Sequence, residues 1–297
     1  MRRLYGLLRL CTLAALSLSS ARADVTLFDT GTPDGEIATA SRPDAGGKIE
    51  IESADDFVAN GGFKVSGATF TGLIVPDGPA AAPTIGQVVV EIYRVFPKDS
   101  DVGRTSGPPT FSTPEVPTRV NSPSDVAFTS RDSAASTLSF TTMTLNAQFT
   151  AKNSVLSGIK PSPDQFTGGD GLVTGTEVQF SVSFSTPFDL PEDHYFFVPQ
   201  VQVTNGEFYW LSAPRPIVPP GTPFPPGFTD LQSWIRNESL DPDWLRVGTD
   251  ITHQGPFNAS FSLIGVPEPS SLALLGIGTA CVVVSIGRRA VRRLRSR

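Results

Sequence analysis

The reactive groups in quantity here are carboxylates, 29 Asp and Glu against two His. Asp55 and Asp56 stand side by side in IESADDFV, and adjacent acids repel each other unless a cation, backbone donors or water separates them. Calcium takes several hard oxygen ligands. Asp55 or Asp56 together with Asp29 or Asp34 of FDTGTPDG is therefore a candidate calcium site, and an exposed turn with Asx-type hydrogen bonds is the alternative. Neither stretch has EF-hand spacing, nor does KDSDVG around Asp99 and Asp101. Glycoside hydrolysis would need two carboxyls about 5 to 9 Å apart across a cleft. Asp55, Asp56, Glu91, Glu177 and Glu207 are candidates for such a pair; otherwise each is a solvated edge charge that discourages strand-to-strand aggregation.

Other chemistries find little support. His194 and His253 offer no zinc spacing, and both a GxSxG elbow and a phosphate-cradling glycine loop are missing from the sequence. Cys11 and Cys281 lie inside apolar segments at the two ends, which removes disulfides, thiolate metal sites and cysteine nucleophiles from the body between them. No catalytic residue is assigned, and apart from the calcium candidate no cofactor is expected. The body reads as non-enzymatic.

All three tryptophans fall between positions 210 and 244. Tyr209 and Trp210 precede the proline-rich run APRPIVPPGTPFPPGF, a stiff extended loop, and Trp234 and Trp244 follow it. Exposed, these four rings would stack on sugar faces and make a patch for extracellular polysaccharide; buried, they would form a satellite hydrophobic cluster under the loop. Burial is the favoured expectation.

These groups must be held outside the cell. MRRLYGLLRLCTLAALSLSSARAD has a basic start, an apolar centre and Ala21-Arg22-Ala23 before Asp24, the pattern of a signal peptide over residues 1–23 removed by signal peptidase. At the other end, no residue between Glu268 and Arg288 is charged, and the apolar run 271–287 would rise about 26 Å as a helix, enough to span a bilayer narrowly. Arginines at 288, 289, 292, 293, 295 and 297 follow it directly. Arg288, Arg289, Arg292 and Arg293 orient such a span with its basic end in the cytoplasm and the body outside.

Val266-Pro267-Glu268-Pro269-Ser270, then the apolar run, then the arginine cluster, resembles the PEP-CTERM sorting signal of Gram-negative bacteria. The resemblance covers residues 266–297. It implies recognition of Val266, Pro267, Glu268 and Pro269 by an exosortase, a membrane-embedded enzyme that cuts near the motif, with transient anchoring followed by release to the cell surface or beyond. It carries no information on the chemistry of the body, residues 24–265. The stretches FDTGTPDG, IEIESADDFV and GATFTGLIV resemble, more loosely, other uncharacterised proteins that bear this tail, and they bring no activity with them.

The body is acidic once the ends are set aside: ten of 23 basic residues lie in the two terminal segments and 28 of 29 acids lie between, a net charge of −15. Nucleic acid and anionic lipid are thereby poor partners. Its patterning is all-β. Val178, Phe180, Val182 and Phe184 alternate with polar residues at period two, and GKIEIESA, FKVSGATFTGLIV, QVVVEIYRVF, STLSFTTMTLNAQF, HYFFVPQVQV, GEFYWLSA and FNASFSLIG have similar texture. Apolar parity switches within STLSFTTMTLNAQF, which predicts a bulge or break near Thr141. The run Thr141-Thr142-Met143-Thr144 lacks the repeat an ordered threonine lattice requires. DLQSWIRNES is the one expected helical piece, capped by Thr229 or Asp230. Roughly eight to ten short strands suggest a single β-sandwich of jelly-roll type, with two small sandwiches divided in residues 107–125 as the alternative.

The Ala-x-Ala site makes Asp24 the first residue of the exported protein. N-terminal sequencing of protein from the envelope or medium should begin Asp-Val-Thr-Leu; recovery of the Leu-rich run would refute the site.

Overall fold

The computed structural model describes residues 24–79, 81–103, 116–159, 167–214 and 229–267. Period-two alternation turns most of that chain into strands: β1 (Val25–Asp29), β2 (Ile37–Ala40), β3 (Ile51–Ala59), β4 (Phe63–Pro76), β5 (Thr84–Arg94), β6 (Thr129–Asp132), β7 (Leu138–Ala151), β8 (Asn153–Val155), β9 (Val173–Leu190), β10 (Asp193–Thr204), β11 (Gly206–Ala213), β12 (Trp234–Asn237), β13 (Leu245–Arg246), β14 (Asn258–Ala259) and β15 (Phe261–Pro267). Among the described residues the only helical element is one π-helical turn, Val247–Ile251. The protein is mostly β.

Two sheets form. The smaller runs β13-β12-β3-β10-β5-β6. The larger runs β1-β15-β4-β11-β2-β8, with β9 also on β4, β7 on β9 and β14 on β11; its strands pair antiparallel except β2 with β8. One edge of β4 pairs with β9 from Phe63 to Ile74. Its other edge pairs with β15 from Phe63 to Phe70 and with β11 from Gly72 to Pro76.

Alternation along these strands sends one set of side chains into a core shared by both sheets. Phe70, Phe180, Phe208, Trp210 and Phe261 from the larger sheet meet Phe57, Val90, Ile92, Tyr195 and Phe197 from the smaller. Phe70 stacks on Phe180 with ring centroids 4.9 Å apart, and Phe197 on Phe261 also at 4.9 Å. A second cluster around Leu73, Tyr209, Leu211, Ile235 and Phe257 covers part of the opposite face.

Two expectations need correction. DLQSWIRNES contains strand β12 rather than a helix: pairing of Trp234 with Ala54 and Arg236 with Glu52 extends the edge of β3, and tertiary pairing overrides local propensity. Strand β7 continues through Thr141, and its irregularities fall between Thr144 and Phe149. The parity switch was misleading because β7 lies at the margin of its sheet, where Met143 and Leu145 face solvent, 55% and 44% exposed. Across residues 107–125, β5 pairs with β6 and β10, and β4 with β9.

Gly72 is required by close approach. A Cβ there would lie 2.2 Å from Phe208 Cε2 and 2.5 Å from the Tyr209 carbonyl oxygen, so no side chain fits without moving β11 or the core. Gly72→Val is expected to destabilise the fold by about 1 to 3 kcal/mol or more through overpacking, read as a lower urea midpoint; an unchanged midpoint would show that β11 can yield.

Candidate functional site

Strand β3 carries most of the buried acid. Its successive residues face opposite ways, and both faces are covered. Glu52 receives hydrogen bonds from Arg236 Nε and, at 2.7 Å, from the Tyr93 hydroxyl. Arg236 Nη2 donates to that same hydroxyl at 2.9 Å, and its guanidinium lies 4.3 Å over the Trp244 ring. Glu91 lies 3.0 Å from the Tyr93 hydroxyl and is pushed up to about 7 by burial, with repulsion from Glu52 adding to it.

Asp55 and Asp56 are both fully buried. Asp55 Oδ2 accepts the Ala259 N–H at 2.7 Å, tying β14 to β3. Asp56 Oδ2 meets His194 Nε2 at 2.6 Å on the other side of the strand. Burial holds Asp55 well above the usual carboxylate range, with Asp56 and Asp230 adding repulsion. Burial likewise raises Asp56 to about 7, against the pull of His194. Oδ1 of each has no hydrogen-bond partner, and it is the oxygen available to carry a proton.

The strand turns the two neighbouring carboxylates to opposite faces. Asp34 is engaged elsewhere, with the Ser212 hydroxyl and the Glu36 N–H, and Asp29 accepts from the Gly31 N–H. Among the described residues no three His, Cys, Asp or Glu side chains converge as a metal-binding set. The exposed-turn alternative fails as well: the acids lie inside a strand. The remaining hydrolysis candidates are dispersed, Glu207 on β11 in ion pairs with Arg42 and Lys48 and Glu177 on β9. His253 lies at a positive φ just after the π-helical turn.

The sugar-stacking patch is corrected too. Tyr209, Trp210, Trp234 and Trp244 are all buried, none more than 7% exposed. Each indole N–H finds a carbonyl inside, as buried tryptophan requires: Trp210 to Ser260, Trp234 to Leu231 and Trp244 to Ser124. Trp210 belongs to the shared core, while Trp234 and Trp244 pack with Tyr93 and Phe196 outside the smaller sheet. The proline-rich loop, residues 215–228, lies outside the described residues.

What the sequence did not reveal is the outer face of the larger sheet. Cross-strand register aligns Thr141 of β7, Ser181 of β9, Thr69 of β4, Ser262 of β15 and Asp29 of β1 in one transverse row. Thr69 Oγ1 and Ser262 Oγ are 2.7 Å apart. Ser139 and Ser183 pair in the next row on one side, Met143, Gln179 and Thr71 on the other. The signal was present as polar residues at alternate positions, but only register assembles it.

At its C-terminal end β15 runs into the sorting stretch: Val266 pairs with Lys64 and Pro267 with Phe63. Proline has no N–H to donate, and Pro267 is the last residue described on this strand. Asp24, at the other end, accepts a hydrogen bond from Ser66 at 2.7 Å. Ala21, Ala23, Glu268, Pro269 and the arginines at 288, 289, 292 and 293 lie outside the described residues, as does the expected span 271–287; no helix among the described residues is long and apolar enough to cross a membrane.

Residues 265–293 match the family model of the PEP-CTERM protein-sorting motif. The motif marks an exported, exosortase-targeted protein destined for the cell surface or the extracellular space. No curated protein and no solved structure matches the chain.

Raised carboxyls make stability depend on pH. Asp56 and Glu91 titrate near 7 in the folded protein and near 3.8 and 4.5 as free side chains. Between those values the folded state holds protons that the unfolded chain has lost, so stability falls as pH rises toward 7 and levels off above it. The charged groups acting on Asp56 are His194 and Asp230, with Asp55 its chain neighbour on the opposite face of the strand. The melting temperature should be lower at pH 8 than at pH 5, and Asp56→Asn with Glu91→Gln should shrink that difference. An equal drop in the double variant would assign it to the general acidity of the body.

Proposed function

We propose that this chain is delivered by its sorting tail as a structural or interaction module of the cell envelope or extracellular matrix, and that its body is a non-enzymatic β-sandwich of jelly-roll type. Signal peptidase removes residues 1–23, the apolar run 271–287 holds the precursor in the inner membrane, and an exosortase separates the body from the arginine cluster. The observation that carries this reading is the continuity of β15 with the motif: Gly265 pairs in the sheet with Val65, Val266 with Lys64 and Pro267 with Phe63, and the matched sorting motif starts at residue 265. Body and tail thus join without a linker. Two largely antiparallel sheets around one aromatic core favour the sandwich. Dispersal of the acids weighed for hydrolysis favours an interaction role over catalysis.

A passive anchor would depend on apolar length and flanking arginines, whereas a sorting signal depends on the tripeptide. The triple variant Pro267→Ala, Glu268→Ala, Pro269→Ala is expected to accumulate as a longer, membrane-held precursor. Native protein from its own host should lack the segment after the motif. Peptides from 289–297 in mature envelope protein would reduce the tail to an anchor.

A further inference from the structure

The hydroxyl row on the outer face of the larger sheet borders a groove of about 180 Å³. Thr32, Thr69, Thr71, Gln179, Ser262 and Asp29 line it, with Leu145 as an apolar wall. Thr71, 3% exposed, and the half-buried Gln179 line this groove together.

We infer that this groove is a binding site for a neutral polysaccharide chain. Hydroxyl, amide and carboxylate groups match the mixed donors and acceptors of a sugar's hydroxyl rim, and Leu145 with exposed Met143 offers apolar contact for its C–H face. The row crosses five strands, which at about 4.8 Å per strand is roughly 19 Å, a length suited to several linked sugars rather than one small molecule. No Lys or Arg lines the groove and the body carries a net charge of −15, so acidic polysaccharides are repelled. A protein partner fits less well, because interface cores are enriched in aromatic residues and this face has none exposed. The inference rests on the proposed export of an interaction module, which brings the face to extracellular polysaccharide.

The test uses mature protein purified from its host, titrated calorimetrically with dextran, a β-glucan, a mannan and, as acidic probe, alginate. Gln179→Ala removes an amide from the groove, and Ser181→Arg places bulk in the middle of the row at an exposed position, where the fold should tolerate it. Binding to at least one neutral glycan, weakened tenfold or more by either variant at unchanged melting temperature, supports the site. Absence of binding to every neutral glycan, preference for alginate, or binding indifferent to both variants overturns it. Self-association abolished by Ser181→Arg, without glycan binding, would make the face a contact between copies of the chain and also overturn it. Failure of export, read separately by cell fractionation of the same strains, would count against the functional reading and not against the groove.

Discussion

Strand β4 is the constraint from which the larger sheet takes its register. Fourteen residues long, it holds β9 on one edge and both β15 and β11 on the other. A slip of one residue would turn Phe70 to solvent and Thr69 into the core, moving the aromatic stack, the hydroxyl row and the origin of the C-terminal tail together. The two glycines within it mark where neighbours come closest: a Cβ on Gly67 would meet the Val182 carbonyl oxygen at 2.4 Å, and one on Gly72 the Phe208 ring. Flatness on one face and tight packing on the other thus come from the same strand.

The smaller sheet is organised differently, around buried charge. Arg236 and Glu52 are 5% and 2% exposed, and removing two charges from water costs several kcal/mol per ion. Offsetting that are the Tyr93 hydroxyl, the Asp241 carboxylate at 2.9 Å, the Pro242 carbonyl at 3.2 Å and the face of Trp244. Such a pair is weak evidence of net stability. Its clearer consequence is geometric: it fixes β12, β3, β5 and the segment 241–244 to one another in a single arrangement, since no other side chain near Glu52 could take the place of a planar guanidinium with several donors. Asp55 acts similarly on the other face of β3 by holding the Ala259 N–H.

The strands were legible in the sequence because period two is a local property. GEFYWLSA coincides with β11, and FKVSGATFTGLIV with all but the last residue of β4. DLQSWIRNES was not legible, because a four-residue strand at a sheet edge is defined by its partner, here Ala54 to Ile51. The acids show the same limit. Adjacent carboxylates advertise a shared cation only if they face one way, and nothing local told that IESADDFV would be covered on both sides. The tryptophans were correctly expected to be buried, but they divide between two clusters. The hydroxyl row was the least accessible of all, since its members lie on five strands between Asp29 and Ser262 and no spacing connects them.

Strand and tail also constrain each other. Phe261 and Leu263 of β15 belong to the shared core, while Pro267, four residues after Leu263, pairs with Phe63 inside the sorting stretch. The apolar run begins at 271, and the three residues between can extend at most about 11 Å. In the proposed precursor, with 271–287 in the membrane, the end of the β4–β15 pair would be held within roughly that distance of the bilayer surface, and an enzyme reading the tripeptide would reach it in the gap between sheet and membrane. Unpairing β15 to widen the gap would first strip Val266 and Pro267 from β4; stripping as far as Leu263 would open the aromatic core. The fold thus limits how much of the chain can be drawn toward the membrane before the body loses its own packing.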